Sequence, residues 1–492
     1  MERREFLITT ALAAGAGLAG CRRGPTDARA PARPAGTGRV HPVQLTTGPV
    51  DVDLGTGAPF TVFGYNGRSP GPEIRVREGD TLRVTLDNQL PEPTTIHWHG
   101  IPLPNGMDGV PGLTQQPAAP GEPFVYEFMA WPSGTYFYHS HVGYQLDQGL
   151  HGPLVIEPAR EPGHDREFVL MLEDWAAMDG GGPAASRAGR IDESAGGGMM
   201  DGMMGGRGMG GGMMGGGMGR PRAGESEPLR QPLYDAYTIN GRSAGAAEPL
   251  RVKRGDRVRL RIVNAASSTT FVLRLAGHRL TATHVDGRPV EAVEADVLRV
   301  GMGERYDAEF VADNPGRWAL LGAPEGAAEA RPLRTLLYDG VAAGELLREG
   351  PARPRSLTYD DLVARPEDGL PATKRIDRTV QLTLSGGMMG SPYWTINGER
   401  YPDTAGIDVE RGERVRLEYF NMSMMAHPMH LHGHFFELDL PGRPRKDTVL
   451  VERMMGRMAV EFVADNPGRW FHHCHNLYHM EAGMANVIEV GG

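Results

Sequence analysis

The sequence predicts an all-β protein of three related sandwich units, and two observations carry that expectation. First, one turn-and-strand pattern occurs three times. Tyr65-Asn66-Gly67-Arg68 leads into the alternating run 75–84, Ile239-Asn240-Gly241-Arg242 into 251–260, and Ile396-Asn397-Gly398 into 409–417. Each copy holds an Asn-Gly turn signal, a strand of period two, a Gly turn and a second such strand. Second, residues 310–318 (Phe-Val-Ala-Asp-Asn-Pro-Gly-Arg-Trp) recur letter for letter at 462–470, and 131–136 is their looser counterpart.

Taken in order along the chain, residues 1–37 read as an export signal and linker. Arg3-Arg4 precede Phe6-Leu7 and an uncharged run from 7 to 20, shorter than the ~20 apolar residues of a membrane span. The paired arginines resemble a twin-arginine signal, which exports proteins already folded. Leu18-Ala19-Gly20-Cys21 resembles a lipoprotein box. Lipidation of Cys21 and ordinary cleavage that discards it both remain open; in the first case Cys21 is the only membrane attachment expected. The expected location is the periplasm or cell envelope. Sandwich units are drawn at 38–158, 159–340 and 375–492, with a Met- and Gly-rich insert at 180–230 in the second and a Pro- and charge-rich connector at 341–374. A monomer is expected.

Composition excludes two classes. With 51 Lys+Arg against 61 Asp+Glu, the formal charge of −10 is opposite to that of a phosphate-neutralising surface, so nucleic acid is not an expected partner. Two cysteines in 492 residues rule out a disulfide scaffold. With Cys21 in the signal, Cys474 is alone, and a lone thiol in an oxidising compartment is a liability unless something occupies it.

Registering the units sorts the histidines. Eighteen residues beyond Gly79 and Gly412 stand His97-Trp98-His99 and His430-Leu431-His432, while the same count from Gly255 reaches Leu273. Five beyond Gly134 and Gly468 stand His139-Ser140-His141 and His473-Cys474-His475; from Gly316 the count reaches Leu321. Strand residues i and i+2 share a face, so each pair aims two imidazoles in one direction. One such pair is usually incidental. Four at equivalent places of the outer units, with the middle unit blank, read as eight imidazoles converging on a metal cluster between units one and three. The same parity turns Cys474 the other way, towards a different ion. His427 lies three before His430, and His479 and Met484 lie five and ten beyond Cys474. Two His, one Cys and a weak thioether are the ligands of a blue-copper centre.

At this point the sequence resembles the three-domain multicopper oxidases over nearly its whole length after the signal. The resemblance rests on His97-Trp98-His99-Gly100, His139-Ser140-His141, His427-Pro428-Met429-His430-Leu431-His432-Gly433 and the run from His473-Cys474-His475 to Met484. It implies three consecutive cupredoxin-like Greek-key β-sandwich domains and four copper ions. Type 1 copper would take His427, Cys474, His479 and Met484, and type 2 copper His97 and His430. One type 3 copper would take His99, His139 and His475, and the other His141, His432 and His473. It further implies single electrons entering at type 1 copper, passing along His473-Cys474-His475, and reducing dioxygen to water. Asp108 stands where the family keeps a proton-delivering acid, although an Asp-Gly pair in such a segment also reads as a turn. Some relatives have a carboxylate directly after the last type 1 His; here Met480 stands there, and Glu481, one further, is an open candidate for the proton path. His434, His472, His151, His278 and His284 read as structural.

The methionines bear on the reductant. Residues 199–218 hold eight Met (Met199, Met200, Met203, Met204, Met209, Met213, Met214, Met218) and ten Gly. Such a composition builds no core, but thioethers suit Cu(I). Met422, Met424, Met425 and Met429 lie beside the type 1 ligands, and Met425 resembles a cuprous-ion Met of the copper-detoxifying members, with core filling as its competing reading. The expected reductant is therefore Cu(I), oxidised in copper tolerance. The alternatives are a laccase-type enzyme for small phenols or aromatic amines, and a copper-binding or storage protein.

Overall fold

The structure is a computed structural model that describes residues 35–55, 59–160, 163–176, 228–342, 344–370, 375–387 and 391–492. The Arg3-Arg4 pair, Cys21 and the 199–218 methionines lie outside the described residues. The all-β expectation holds: the described strands form six sheets, and among the described residues the one α-helix is Leu477–Glu481. Among the same residues no helix is long and apolar enough to cross a membrane.

The sheets pair into three sandwiches. Strands from Val40–Val52 to His151–Glu157 form two four-stranded sheets. Those from Arg166–Trp175 to Arg331–Tyr338, and from Arg378–Gly386 to Ala485–Val490, each form a six-stranded and a five-stranded sheet. Counted from its own first strand, each of the latter two units has the same strand order in both sheets. The first unit follows that order with three strands fewer, the irregular segment 100–122 standing in their place. In every unit the opening strand runs parallel to a later one, Val40–Val52 with Thr81–Asn88, Arg166–Trp175 with Arg257–Asn264, and Arg378–Gly386 with Arg414–Asn421. A parallel pair requires the chain to cross over between the two strands, here through the opposite sheet.

Local chemistry repeats with the topology. Asn66, Asn240 and Asn397 all take left-handed backbone (φ 51, 56 and 53), each followed by a glycine of positive φ. This is the turn whose twist matches a hairpin. Each Asn side chain then accepts from a neighbouring strand, from Thr46 N, Met171 N and Thr383 N at 2.7, 2.8 and 2.7 Å. Leu82, Val84 and Leu86 are buried on alternate positions of Thr81–Asn88, the half-buried strand pattern of a sandwich. Outer units one and three share one continuous apolar core that includes Trp98, Tyr138, Met429 and Trp470. The middle unit has a core of its own. That shared core fixes the junction at which the histidine strands meet.

Candidate metal centres

In the first unit, strand His97–His99 pairs antiparallel with Gly134–His139, and His97 stands opposite His139. In the third, His427–Leu431 pairs with Gly468–Cys474, and His430 stands opposite His473. The equivalent residues of the middle unit are apolar, and their register is one residue off: Leu273 faces Gly322, and Arg274 faces Leu321. All eight imidazoles of the outer units are buried. They interleave across the interface, His97 stacking on His432 at 3.9 Å and His99 on His430 at 3.8 Å between ring centres. His141 lies 5.2 Å from His473, and His475 lies 4.9 and 5.4 Å from His99 and His139.

Whether these rings suit a metal is decided by their nitrogens. One nitrogen of each of several rings is fixed by a hydrogen bond: Nδ1 of His97 donates to the Asp108 carbonyl (2.8 Å), that of His139 to Ser140 O (2.8 Å), that of His430 to Asp447 O (2.9 Å), and that of His473 to Cys474 O (2.9 Å). The opposite nitrogens are buried without a partner: Nε2 of His97, His139, His141 and His430, Nδ1 of His99, and both nitrogens of His475. Nε2 of His432 and Nε2 of His473 face each other at 3.0 Å. A buried polar atom left unpaired costs about 1–3 kcal/mol, so this arrangement asks for cations. Burial holds His99, His139, His141, His432, His473 and His475 well below the usual histidine range. They are thus neutral, the form that ligates metal. Donor atoms of His97, His430 and His432, of His97, His99 and His139, and of His141, His432 and His473 each fall within 4.8 Å of one another.

Cys474 faces away from the cluster. Its Sγ lies 3.5 Å from His427 Nδ1 and 3.6 Å from His479 Nδ1, and those nitrogens are 3.1 Å apart. Such a triangle suits three bonds of roughly 2.0–2.3 Å to one ion. Asn476 caps the short helix Leu477–Glu481, its Oδ1 accepting from Tyr478 N and His479 N, and so sets where His479 begins. Met484 is fully buried, and its carbonyl accepts from Cys474 N at 3.0 Å. Trp394 stacks on His479 at 3.8 Å, and His427 Nε2 meets Ser423 Oγ at 2.7 Å. Burial, opposed by a backbone hydrogen bond from Asn476, pushes the Cys474 thiol up, and burial lowers His427 to about 3. A metal is what would make that thiol a thiolate.

Carboxylates bind the cluster from behind. Asp108, fully buried after the turn Asn105–Met107, takes His97 on its carbonyl and His432 Nδ1 on Oδ2 at 2.8 Å, while its Oδ1 makes no hydrogen bond and lies 3.3 Å from His97 Nδ1. Sequence reasoning missed the second carboxylate, Asp447. It accepts from His99 Nε2 on Oδ1 (3.1 Å) and from His430 on its carbonyl. Thr448 Oγ1 touches both rings at 3.2 and 3.1 Å. Arg305, from the middle unit, clamps both Asp447 oxygens at 2.7 and 2.6 Å. Burial opposes ionisation of Asp447, but Arg305 holds it well below the usual carboxylate range. Behind Arg305, Asp286 and Glu304 each lie 3.0 Å from buried Lys446. Gly100 follows the first pair at φ +86, where a Cβ would strike the Arg305 guanidinium and the Asp447 carboxylate; at Gly303, φ +80, it would lie 2.8 Å from His475.

The remaining sequence candidates divide. Glu481 is exposed, whereas Met480 lines a small cavity against His139, His141, His473 and His475. Met425 is partly buried against the core and Met429 is fully buried in it. His434, His472, His151 and His278 bond to His432 O, Asn486, Glu173 and Tyr338, and His284 to Thr283.

Three sandwiches with buried histidine and cysteine donors at the junction of the outer two define a class, and comparison with known proteins names it. Three family models described as multicopper oxidase match residues 46–161, 219–335 and 375–491. The chain is 39% identical over 519 residues to the multicopper oxidase MmcO of Mycobacterium tuberculosis, covering 99% of this chain and 96% of the relative. It is 31% identical over 547 residues to a copper resistance protein A homolog of Pseudomonas syringae pv. tomato, covering 91% and 92%. The crystal structure of a multi-copper oxidase from Pseudomonas thermotolerans superposes with a TM-score of 0.70 at 29% identity, over 92% of this chain and 100% of that one. The chain belongs to the multicopper oxidase family. It is an oxidoreductase whose cofactor is copper and which uses dioxygen and a reductant.

Proposed function

We propose that the protein oxidises Cu(I) with dioxygen, using four resident coppers: type 1 on His427, Cys474, His479 and Met484, type 2 on His97 and His430, and a type 3 pair on His99, His139, His475 and on His141, His432, His473. One observation carries the reading. Cys474 Sγ lies against His427 and His479, while its chain neighbours His473 and His475 join the cluster, so a single three-residue run links the two centres.

Bound copper would supply one-electron acceptance at the first centre and dioxygen reduction at the second. The chain supplies the rest. Hydrogen bonds to Asp108, Ser140, Asp447 and Cys474 fix the rings of His97, His99, His139, His430, His432 and His473, which sets ligand orientation and basicity. The cavity against His139, His141, His473 and His475 also carries Leu146, Leu477 and Met480, an apolar entry suited to dioxygen. Since Met480 brings no proton there, Asp108 is the group placed to deliver one, being buried and in contact with both His97 and His432. Glu481, whose carboxyl desolvation raises to about 7, is the second candidate. Cu(I) as the reductant is supported by the relatives named copper resistance protein A and by the eight thioethers of 199–218. Export by the twin-arginine route and a lipid anchor at Cys21 would put the enzyme in the cell envelope.

The test is kcat/KM for Cu(I) and for a phenol, measured side by side with and without added Cu(II). The expected result is preference for Cu(I), lowered when 199–218 are deleted. A preference for phenol without stimulation by copper would support laccase-type chemistry instead.

A further inference from the structure

Two loops beside the type 1 ligands carry methionines in an unusual state. Among the described residues every exposed methionine lies on them: Met422, Met424, Met454 and Met455, at 52, 54, 60 and 63% of full exposure. The loops are tied together, Met454 N donating to Ser423 O at 2.9 Å and Met455 N to Asn421 O at 2.8 Å. Asn421 Nδ2 in turn holds the carbonyls of Met425 and Glu452 at 2.7 and 3.0 Å. All four methionines therefore sit on one hydrogen-bonded rim.

Folding does not explain them. Met454 and Met455 sit at φ 56 and 69, a region that L side chains avoid and glycine accepts. The middle unit shows what the turn itself prefers. Seven residues before Phe310, the place of Met455 before Phe462, stands Gly303 at φ +80, whose N bonds Asn264 O at 2.9 Å just as Met455 N bonds Asn421 O. Exposed apolar side chains on a strained turn, where the equivalent turn uses glycine, gain nothing from burial and lose backbone energy.

We infer that Met422, Met424, Met454 and Met455 form a docking site for a soft monovalent cation, the Cu(I) substrate of the proposed function on which this inference rests. The site is separate from Met425, which packs on the core, and from the 199–218 segment. Thioethers hold Cu(I) and bind the harder Cu(II) weakly, so such a rim takes substrate and lets product go. The route inward is short, from Met454 through the Ser423 backbone to Ser423 Oγ, which is 2.7 Å from His427 Nε2. Each Cu(I) loses one electron inward and leaves as Cu(II); four such losses with four protons balance the reduction of one dioxygen to two waters.

The test uses the full copper-loaded protein and Ag(I), a soft ion that is not oxidised. Two variants are compared with the parent, one with Met422, Met424, Met454 and Met455 all changed to Leu, and the single change Met455→Gly. The fold is checked by copper content and by the visible band of the type 1 centre. In the four-Leu variant Ag(I) affinity is expected to fall, and KM for Cu(I) to rise, by roughly tenfold with kcat retained. Met455→Gly relieves the turn, so it is expected to raise Tm while weakening Ag(I) binding. An Ag(I) titration of the four-Leu variant superimposable on the parent would overturn the rim. Absence of Cu(I) turnover in the parent would instead overturn the substrate, and the Ag(I) titration would still decide the rim.

Discussion

The middle and third units share strand order, an identical nine-residue landmark and the same Asn-anchored turn, yet the third carries candidate metal ligands and, among the described residues, the middle one carries none. Equivalent positions show where they part. Arg305 and Arg457 each stand five residues before the landmark phenylalanine. Arg305 is fully buried with both nitrogens on Asp447, whereas Arg457 is exposed and lies over Phe420. Gly303 presses on His475 and His99, whereas Met455 faces solvent. The backbone is the same; the neighbour differs. The middle unit thus contributes the cation and the close backbone approach that hold the candidate ligands of its neighbours.

The comparison breaks most sharply at Arg305. Arg305→Leu leaves Asp447 buried without its cation, a loss of about 3–5 kcal/mol, while Arg457→Leu is expected to cost less than about 1 kcal/mol. Denaturant titration of both variants checks this, and equal losses would sink the contrast. Copper content should fall with Arg305→Leu alone, because His99 and His430 lose their fixed acceptor.

Next comes Gly100→Ala. Its methyl would meet the Arg305–Asp447 pair, and the left-handed backbone adds roughly 1–2 kcal/mol. Thermal unfolding and copper content measure it. A variant as stable and as fully loaded as the parent would show that the pair can shift aside.

A third effect depends on pH. Burial, opposed by the Asn486 hydrogen bond, lowers His472 to about 4, and the cluster rings lie well below the usual range, whereas the unfolded chain titrates near 6.5. Below that value the unfolded state binds more protons. The stability these groups contribute is therefore full above about pH 6.5 and is lost as pH falls towards their folded values. The denaturation midpoint of the copper-free protein should be lower at pH 5 than at pH 7; a flat profile would contradict the neutral, buried rings.

Much of the candidate site was legible because its signals are local. His-x-His parity, the spacing from turn glycines and the lone Cys474 all lie within one strand or one repeat. Asp447 and Arg305 were not, since each lies in a different unit and neither shows a periodic pattern; what makes them functional is a contact between units. A faint signal existed in Lys446-Asp447 and Glu304-Arg305, charged pairs at strand ends. Exposure of Met454 and Met455 was equally hidden, because their turn is familiar in the middle unit and only its side chains differ. The all-β class was readable from the threefold repeat, but the shared core of units one and three was not.

The smallest effect expected is at Arg299, which reaches Glu452 and Glu325 at the surface between the middle and third units. Arg299→Ala should change stability by less than about 1 kcal/mol, measured at low and high salt. A larger, salt-independent loss would mean that this surface link, and not the buried Arg305 clamp, joins the two units.

The central claim is that Cys474 is the thiolate through which electrons enter the cluster. Cys474→Ser tests it most directly, by copper content, visible absorption and dioxygen uptake on one preparation. The prediction is three coppers in place of four, loss of the intense visible band and loss of dioxygen uptake, with the histidine cluster still loaded. Dioxygen uptake retained in that variant would contradict it.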